Sequence, residues 1–112
     1  MAKPAHIHED DLAKKEFPDR WGKHLLGGPE VPTDHGFTMG VAAYTTTEFG
    51  QDQVHDDQEA LYILSGKGEV RVAGKALVVR SGMAIYLPPG TPHASRRTGR
   101  DPMKLLYAHG PP

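Results

Sequence analysis

From Phe37 onward the chain is a succession of short β-type runs, each cut off by glycine, proline or a polar turn before a helix could establish itself. Glycine and proline weaken helix interiors and mark tight turns, so 13 Gly and 10 Pro in 112 residues exclude a helical bundle. Runs at this spacing are what a sandwich or barrel requires, and the length allows one domain rather than two cores. Val41, Tyr44 and Thr45 to Thr47 favour strand through aromatic packing and β-branching, which gives a first strand within residues 37 to 47. Residues 60 to 64 form the next. The turn at Ser65-Gly66-Lys67-Gly68 reads as a hairpin into the alternating Glu69-Val70-Arg71-Val72, and Ala73-Gly74-Lys75 turns again into Ala76 to Val79. Met83 to Leu87 ends at Pro88-Pro89-Gly90, and Met103 to Ala108 is the last strand. The fold class is all-β.

Residues 1 to 36 have a different texture. Pro4, Pro18, Pro29 and Pro32 and the Gly27-Gly28-Pro29 break leave an irregular arm, with one short helical turn expected over Asp11 to Glu16, capped by Asp10 or Asp11. Phe17, Trp21, Leu25 and Leu26 need cover, so the arm packs either on the barrel of residues 37 to 112 or on a partner subunit, and a homodimer is expected. Thirteen basic against fourteen acidic side chains give a formal charge of −1, too little to draw nucleic acid or an anionic membrane surface. There is no cysteine, which removes thiolate chemistry and disulfides and fits a cytoplasmic location. No run of about 18 apolar residues is present for a membrane span.

Two clusters carry chemistry. In Gln53-Val54-His55-Asp56-Asp57-Gln58-Glu59, residues 53, 55, 57 and 59 share parity, so an extended backbone points them to one face. In Pro88-Pro89-Gly90-Thr91-Pro92-His93, a rigid turn relieved by glycine fixes the direction of His93.

These clusters resemble the motifs of the cupin family. Its first motif ends in His-x-His, three or four residues, Glu, six residues, Gly; its second reads Gly, five residues, Pro-x-Gly, two residues, His. His55, Glu59 and Gly66 match the end of the first motif, and Gly82, Pro88, Gly90 and His93 match the second. The resemblance spans residues 37 to 108 and implies a double-stranded β-helix, a jelly-roll-like barrel, with one divalent metal at its centre. By that resemblance the ligands are Gln53, His55, Glu59 and His93.

Gln53 stands where the family has its first histidine. Its carbonyl oxygen can bind a cation, and sugar-phosphate isomerases of the phosphomannose type resemble this arrangement around zinc. Oxygen in place of imidazole favours iron(II), manganese or zinc over nickel or copper. Gly50 lies nearer the cluster than the motif asks, and Arg97 replaces the asparagine usual after the last histidine. In an alternative register His55 is the first histidine and Asp57 the second ligand, which leaves Glu59 too near to serve.

Other side chains have a bland reading beside the chemical one. His35, Tyr44 and Tyr62 are candidates for proton transfer near the metal, against roles in a turn or the core. Tyr86 is expected in the core, and Asp56 and Asp57 as turn residues. His6-Ile7-His8-Glu9 lacks a second wall for a site and is expected to be unstructured. The basic residues after His93 are expected on a solvated rim.

A cation held by one carboxylate and neutral ligands keeps a positive charge and two open positions, which suits a small chelating substrate such as a carboxylate, a hydroxy-ketone or a sugar-like molecule. The function expected is a metal-dependent enzyme, a dioxygenase or an isomerase or lyase. The alternative is a non-catalytic module that binds a small molecule or sugar.

Overall fold

Alternation along the strands decides what faces inward. In the computed structural model, which describes residues 1–112, β1 (Lys15–Glu16), β2 (Arg20–Leu26), β3 (Thr38–Tyr44), β4 (Gln58–Ser65) and β5 (Lys67–Val72) are followed by four more strands. These are β6 (Lys75–Arg80), β7 (Ala84–Leu87), β8 (His93–Arg97) and β9 (Met103–Gly110). All pairings are antiparallel, in a six-stranded sheet of order β1-β2-β3-β9-β4-β7 and a three-stranded sheet of order β6-β5-β8. No helix is long and apolar enough to cross a membrane.

Between the sheets lies one core of Ala42, Tyr44, Leu61, Ile63, Val70, Val79, Leu87, Met103 and Leu105. Burial on β4 alternates through Glu59, Leu61 and Ile63, while Ala60, Tyr62 and Leu64 face out. The register carries this parity across the sheet: Ala42 faces Leu105 and Leu105 faces Ile63, so inward side chains stack in rows.

The strands expected from Phe37 onward are present, with one correction of pairing. Ser65 to Gly68 does not close a hairpin: β4 pairs with β7 and β9, and β5 with β6 and β8, so the chain changes sheets at this corner. Gly66 makes the corner with φ 81°, and a Cβ there would meet Pro102 and Met103. The hairpin between β5 and β6 stands as expected.

Regular structure reaches into the arm. β2 pairs along its length with β3, and β1 folds back on β2, so the arm extends the larger sheet of its own chain. The expected helical turn over 11 to 16 is absent; a 3-10 turn at Glu9–Asp11 comes earlier, capped by His8, whose ring accepts from the Asp10 amide at 3.0 Å. Pairing with Gly22 and Trp21 draws Lys15 and Glu16 into extended backbone instead. His8 is therefore ordered, contrary to the sequence reading.

Of the basic residues after His93, Arg96 and Arg97 lie on strand β8 and not on a solvated rim, while Arg100 beyond it is exposed as expected. Arg96 donates to the Thr47 carbonyl at 2.8 Å and to Glu69, and Arg97 donates to the Thr45 carbonyl at 2.8 Å. Phe49 lies between two guanidinium groups, with Arg71 at 4.5 Å and Arg96 at 4.9 Å from its ring centre. These contacts tie the segment 45 to 52 to the smaller sheet, and backbone bonds between Gln53 and His93, at 2.8 and 3.0 Å, continue the attachment.

Candidate metal centre

Four strands and loops deliver side chains to one point. Glu59 enters from β4, His109 sits directly opposite it on β9, His93 opens β8, and His55 comes from the segment before β4. The Gly90 amide donates to the His55 carbonyl at 2.8 Å, so the Pro88-Pro89-Gly90 turn holds His55 as well as His93.

Glu59 is 6% exposed and lies at the centre. Its Oε1 is 3.0 Å from His55 Nε2 and 3.1 Å from His93 Nε2, and its Oε2 is 3.2 Å from His109 Nε2. The His55 ring centre is 5.0 Å from that of His93 and 4.6 Å from that of His109.

In each ring the other nitrogen is already engaged. His93 Nδ1 donates to the Thr91 carbonyl at 2.9 Å. His55 Nδ1 donates to Asp57 at 2.6 Å, and His109 Nδ1 donates to both oxygens of the same carboxylate at 3.1 Å. A neutral imidazole with its proton at Nδ1 presents a lone pair at Nε2, so all three rings turn lone pairs toward Glu59. Lone pairs facing a carboxylate repel it unless a cation lies between them, and Glu59 Oε1 accordingly accepts no hydrogen bond although it is buried. One divalent cation would satisfy all of these groups at once, and carboxylate-backed histidines are the usual outer support of such an ion.

Burial disfavours a charged His93, but the Glu59 carboxylate and the Thr91 carbonyl outweigh it and raise the imidazole above its ordinary range. A second proton on His93 would answer one lone pair and leave those of His55 and His109 facing Glu59. Burial also raises the Asp57 carboxyl, but hydrogen bonds from His109 and His55 and their charges hold it below the usual carboxylate range, so it stays an acceptor.

The cluster opens onto a cavity of about 280 Å³, whose lining includes Gln53, Glu59, His93, His109, Tyr44 and Tyr107. Burial raises the phenols of Tyr44 and Tyr107, so both stay protonated as hydrogen-bond donors.

Of the residues singled out in the sequence, His55, Glu59 and His93 meet at this point. Gln53 lines the same cavity beside His93, to which its backbone is bridged. Tyr44 lines it as well. Tyr62 stands an odd number of positions from Glu59 on β4, so it projects from the opposite face and is 45% exposed. Tyr86 is exposed, not in the core. His35 is exposed in the turn before β3 at φ 58° and does not line the cavity. Asp57 does more than turn the chain, because it orients two imidazoles. His109 was missed by sequence reasoning; the alternation Met103, Leu105, Tyr107, His109 is the signal that points it inward.

The same fold recurs in proteins of remote sequence. A protein described as a predicted oxalate decarboxylase from Thermotoga maritima superimposes with a TM-score of 0.81 at 17% identity, covering 95% of this chain and 98% of the other. An RmlC-like cupin from Shewanella frigidimarina gives 0.80 at 14% identity, with 99% and 94% covered. A polyketide cyclase from Streptomyces resistomycificus gives 0.80 at 17%, with 96% and 79% covered. In sequence, an uncharacterised protein of Methanocaldococcus jannaschii is 36% identical over 58 residues, a match spanning 52% of this chain and 46% of that protein. The cupin domain profile matches residues 41–109, from β3 to the last cluster histidine, and the chain belongs to the cupin family.

Proposed function

We propose that this protein is a metal-dependent enzyme acting on a small, oxygen-rich, chelating substrate, and that His55, Glu59, His93 and His109 hold its single divalent ion. The observation that carries the reading is the convergence of three Nε2 lone pairs on the buried Glu59 carboxylate, two of them on Oε1, which accepts no hydrogen bond, and one on Oε2. Three imidazoles and one carboxylate suit iron(II), manganese or zinc. With His109 in the set, nickel and copper are disfavoured less than the sequence alone implied. Gln53 is a further ligand candidate from the cavity wall. When bound, the ion supplies a positive charge that draws and polarises substrate oxygens, with dioxygenase chemistry open to iron and isomerase or lyase chemistry to zinc or manganese.

The chain's own residues supply orientation and hydrogen bonding. Asp57 fixes two imidazoles, Thr91 fixes the third, and the protonated phenols of Tyr44 and Tyr107 donate to substrate oxygens in the cavity. The competing reading is a non-catalytic small-molecule module. One observation favours it: outside the cluster, His24 is the cavity's one imidazole, and no other carboxylate lines the wall.

Metal content and turnover decide between these readings. Protein purified without chelator is expected to carry near-stoichiometric metal that is lost in the double variant His55→Ala/His93→Ala. Metal retained in that variant would sink the centre. Iron-, manganese- and zinc-loaded protein is then assayed with 2-oxo acids, hydroxy-ketones and catechols, where turnover supports the enzyme and binding without turnover supports the module.

A further inference from the structure

We infer that the N-terminal arm selects the substrate: Lys15 on β1 and Arg20 on β2 form a cationic wall of the cavity that takes the acid group of a small organic anion. This rests on the proposed reading of the cavity as the binding site and names the class of molecule it admits.

The register puts both side chains on the concave face. Lys15 pairs with Gly22, Gly22 with Ala42 and Arg20 with Tyr44, and Ala42 and Tyr44 belong to the buried inner row. Lys15 and Arg20 accordingly line the same cavity as Glu59, His93 and His109. The inner face of a sheet ordinarily carries apolar residues, and Lys and Arg are rarely directed there without a partner.

Their charges are incompletely answered within the protein. Arg20 donates to Asp19 at 2.8 Å, and its guanidinium lies 4.5 Å from the Phe17 ring centre and 5.8 Å from that of Tyr44. The Lys15 ammonium lies 5.7 Å from the Phe17 ring centre and enters no ion pair. Lys23, a third cation on the lining, is spent on the wall itself, donating to the Glu9 carbonyl at 2.8 Å. The carboxylate that lines the cavity is Glu59, which is turned to the histidines. One free cation and one half-compensated cation suit a single negative charge, and about 280 Å³ suits a small molecule. Lys15 and Arg20 thus meet the acid group while the oxygens at the other end of the molecule face the cluster.

The test uses pyruvate and its neutral amide, pyruvamide, which share a skeleton and differ in charge. Both are titrated into the full chain, once treated with EDTA and once loaded with zinc, following the backbone amides of residues 15 to 17 and 19 to 24 by NMR and affinity by calorimetry. Wild type is expected to prefer pyruvate roughly three- to tenfold, with shifts concentrated on those amides. In the EDTA-treated protein, Lys15→Gln/Arg20→Gln is expected to abolish the preference while pyruvamide affinity stays unchanged, and Arg20→Lys to restore part of it beside Lys15; zinc stoichiometry of the loaded protein stays that of wild type. Lys15→Gln alone, at an exposed position, is expected to lose part of the preference with the thermal midpoint unchanged, and this keeps the test decisive if the double variant folds poorly. In the EDTA-treated protein, equal affinity of wild type for the two probes, or a preference that survives the double variant, overturns the inference. Failure of the metal reading shows separately, as absent zinc alongside an anion preference that persists in the EDTA-treated protein.

Discussion

Glu59 and His109 face each other across the β4–β9 ladder, and His109 Nε2 lies 3.2 Å from Glu59 Oε2. Because inward residues alternate along both strands, one pairing register sets both the apolar core and this polar pair. A slip of one residue would turn Glu59, Leu61 and Ile63 outward together. Core and candidate metal site are therefore specified by the same hydrogen-bond ladder.

That relationship makes His109 a testable member of the centre. His109→Ala is expected to weaken zinc affinity at least tenfold, since it removes one imidazole and leaves Asp57 with a single histidine. Competition with a chromogenic chelator measures it. Unchanged affinity would return the fourth position to Gln53, and Gln53→Ala under the same assay is the paired control.

Asp57 touches the centre only through the rings it orients. Asp57→Asn keeps the shape but removes the charge that fixes the Nδ1 protons of His55 and His109, and it is expected to cost roughly 10- to 100-fold in metal affinity. The fold should persist, so near-ultraviolet circular dichroism of the metal-free protein is expected to match wild type while the affinity falls.

Gly40 faces Tyr107 across the β3–β9 pair, and a Cβ at this position would collide with the Tyr107 ring end and with the Lys23 carbonyl. Gly40→Ala is expected to destabilise by about 1–3 kcal/mol, the range for overpacking, with Tyr107 displaced from the cavity wall. Denaturant unfolding reads the loss. Adding Tyr107→Leu should recover part of it, because one of the two clashes is gone.

The Glu9–Lys104 pair, at 2.7 Å, joins the 3-10 turn to β9. The hydrogen bond from Lys104 and nearby positive charges outweigh burial and hold the Glu9 carboxyl below its ordinary value. A depressed folded value means that the contribution is present above the unfolded pKa and fades as pH falls through the folded one. At neutral pH, Glu9→Gln is expected to lower stability by about 0.5 kcal/mol, in keeping with a partly exposed pair. The gap between the two proteins should close on acidification below the ordinary carboxylate range. A gap that widens there would mean that the carboxyl is raised instead.

Much of this protein follows from local chemistry. The turn Pro88-Pro89-Gly90 delivers His93, the shared parity of 55, 57 and 59 points that segment at one place, and glycine and proline punctuation forbids anything but short strands. The tertiary structure decided what depends on pairing between distant segments. Asp57 and His109 are 52 positions apart and meet because β9 inserts between β3 and β4. The break at Ser65 to Gly68 looks like a hairpin locally and is a corner between sheets, since a turn's composition does not say which strand it pairs with. The arm shows the same limit: Arg20 to Leu26 lacks clean apolar alternation, and it becomes a strand because β3 offers an open edge whose backbone groups need partners. Residue type and spacing thus determine which side chains can hold a cation. Strand order and register determine that the fourth group at the centre is a histidine near the end of the chain.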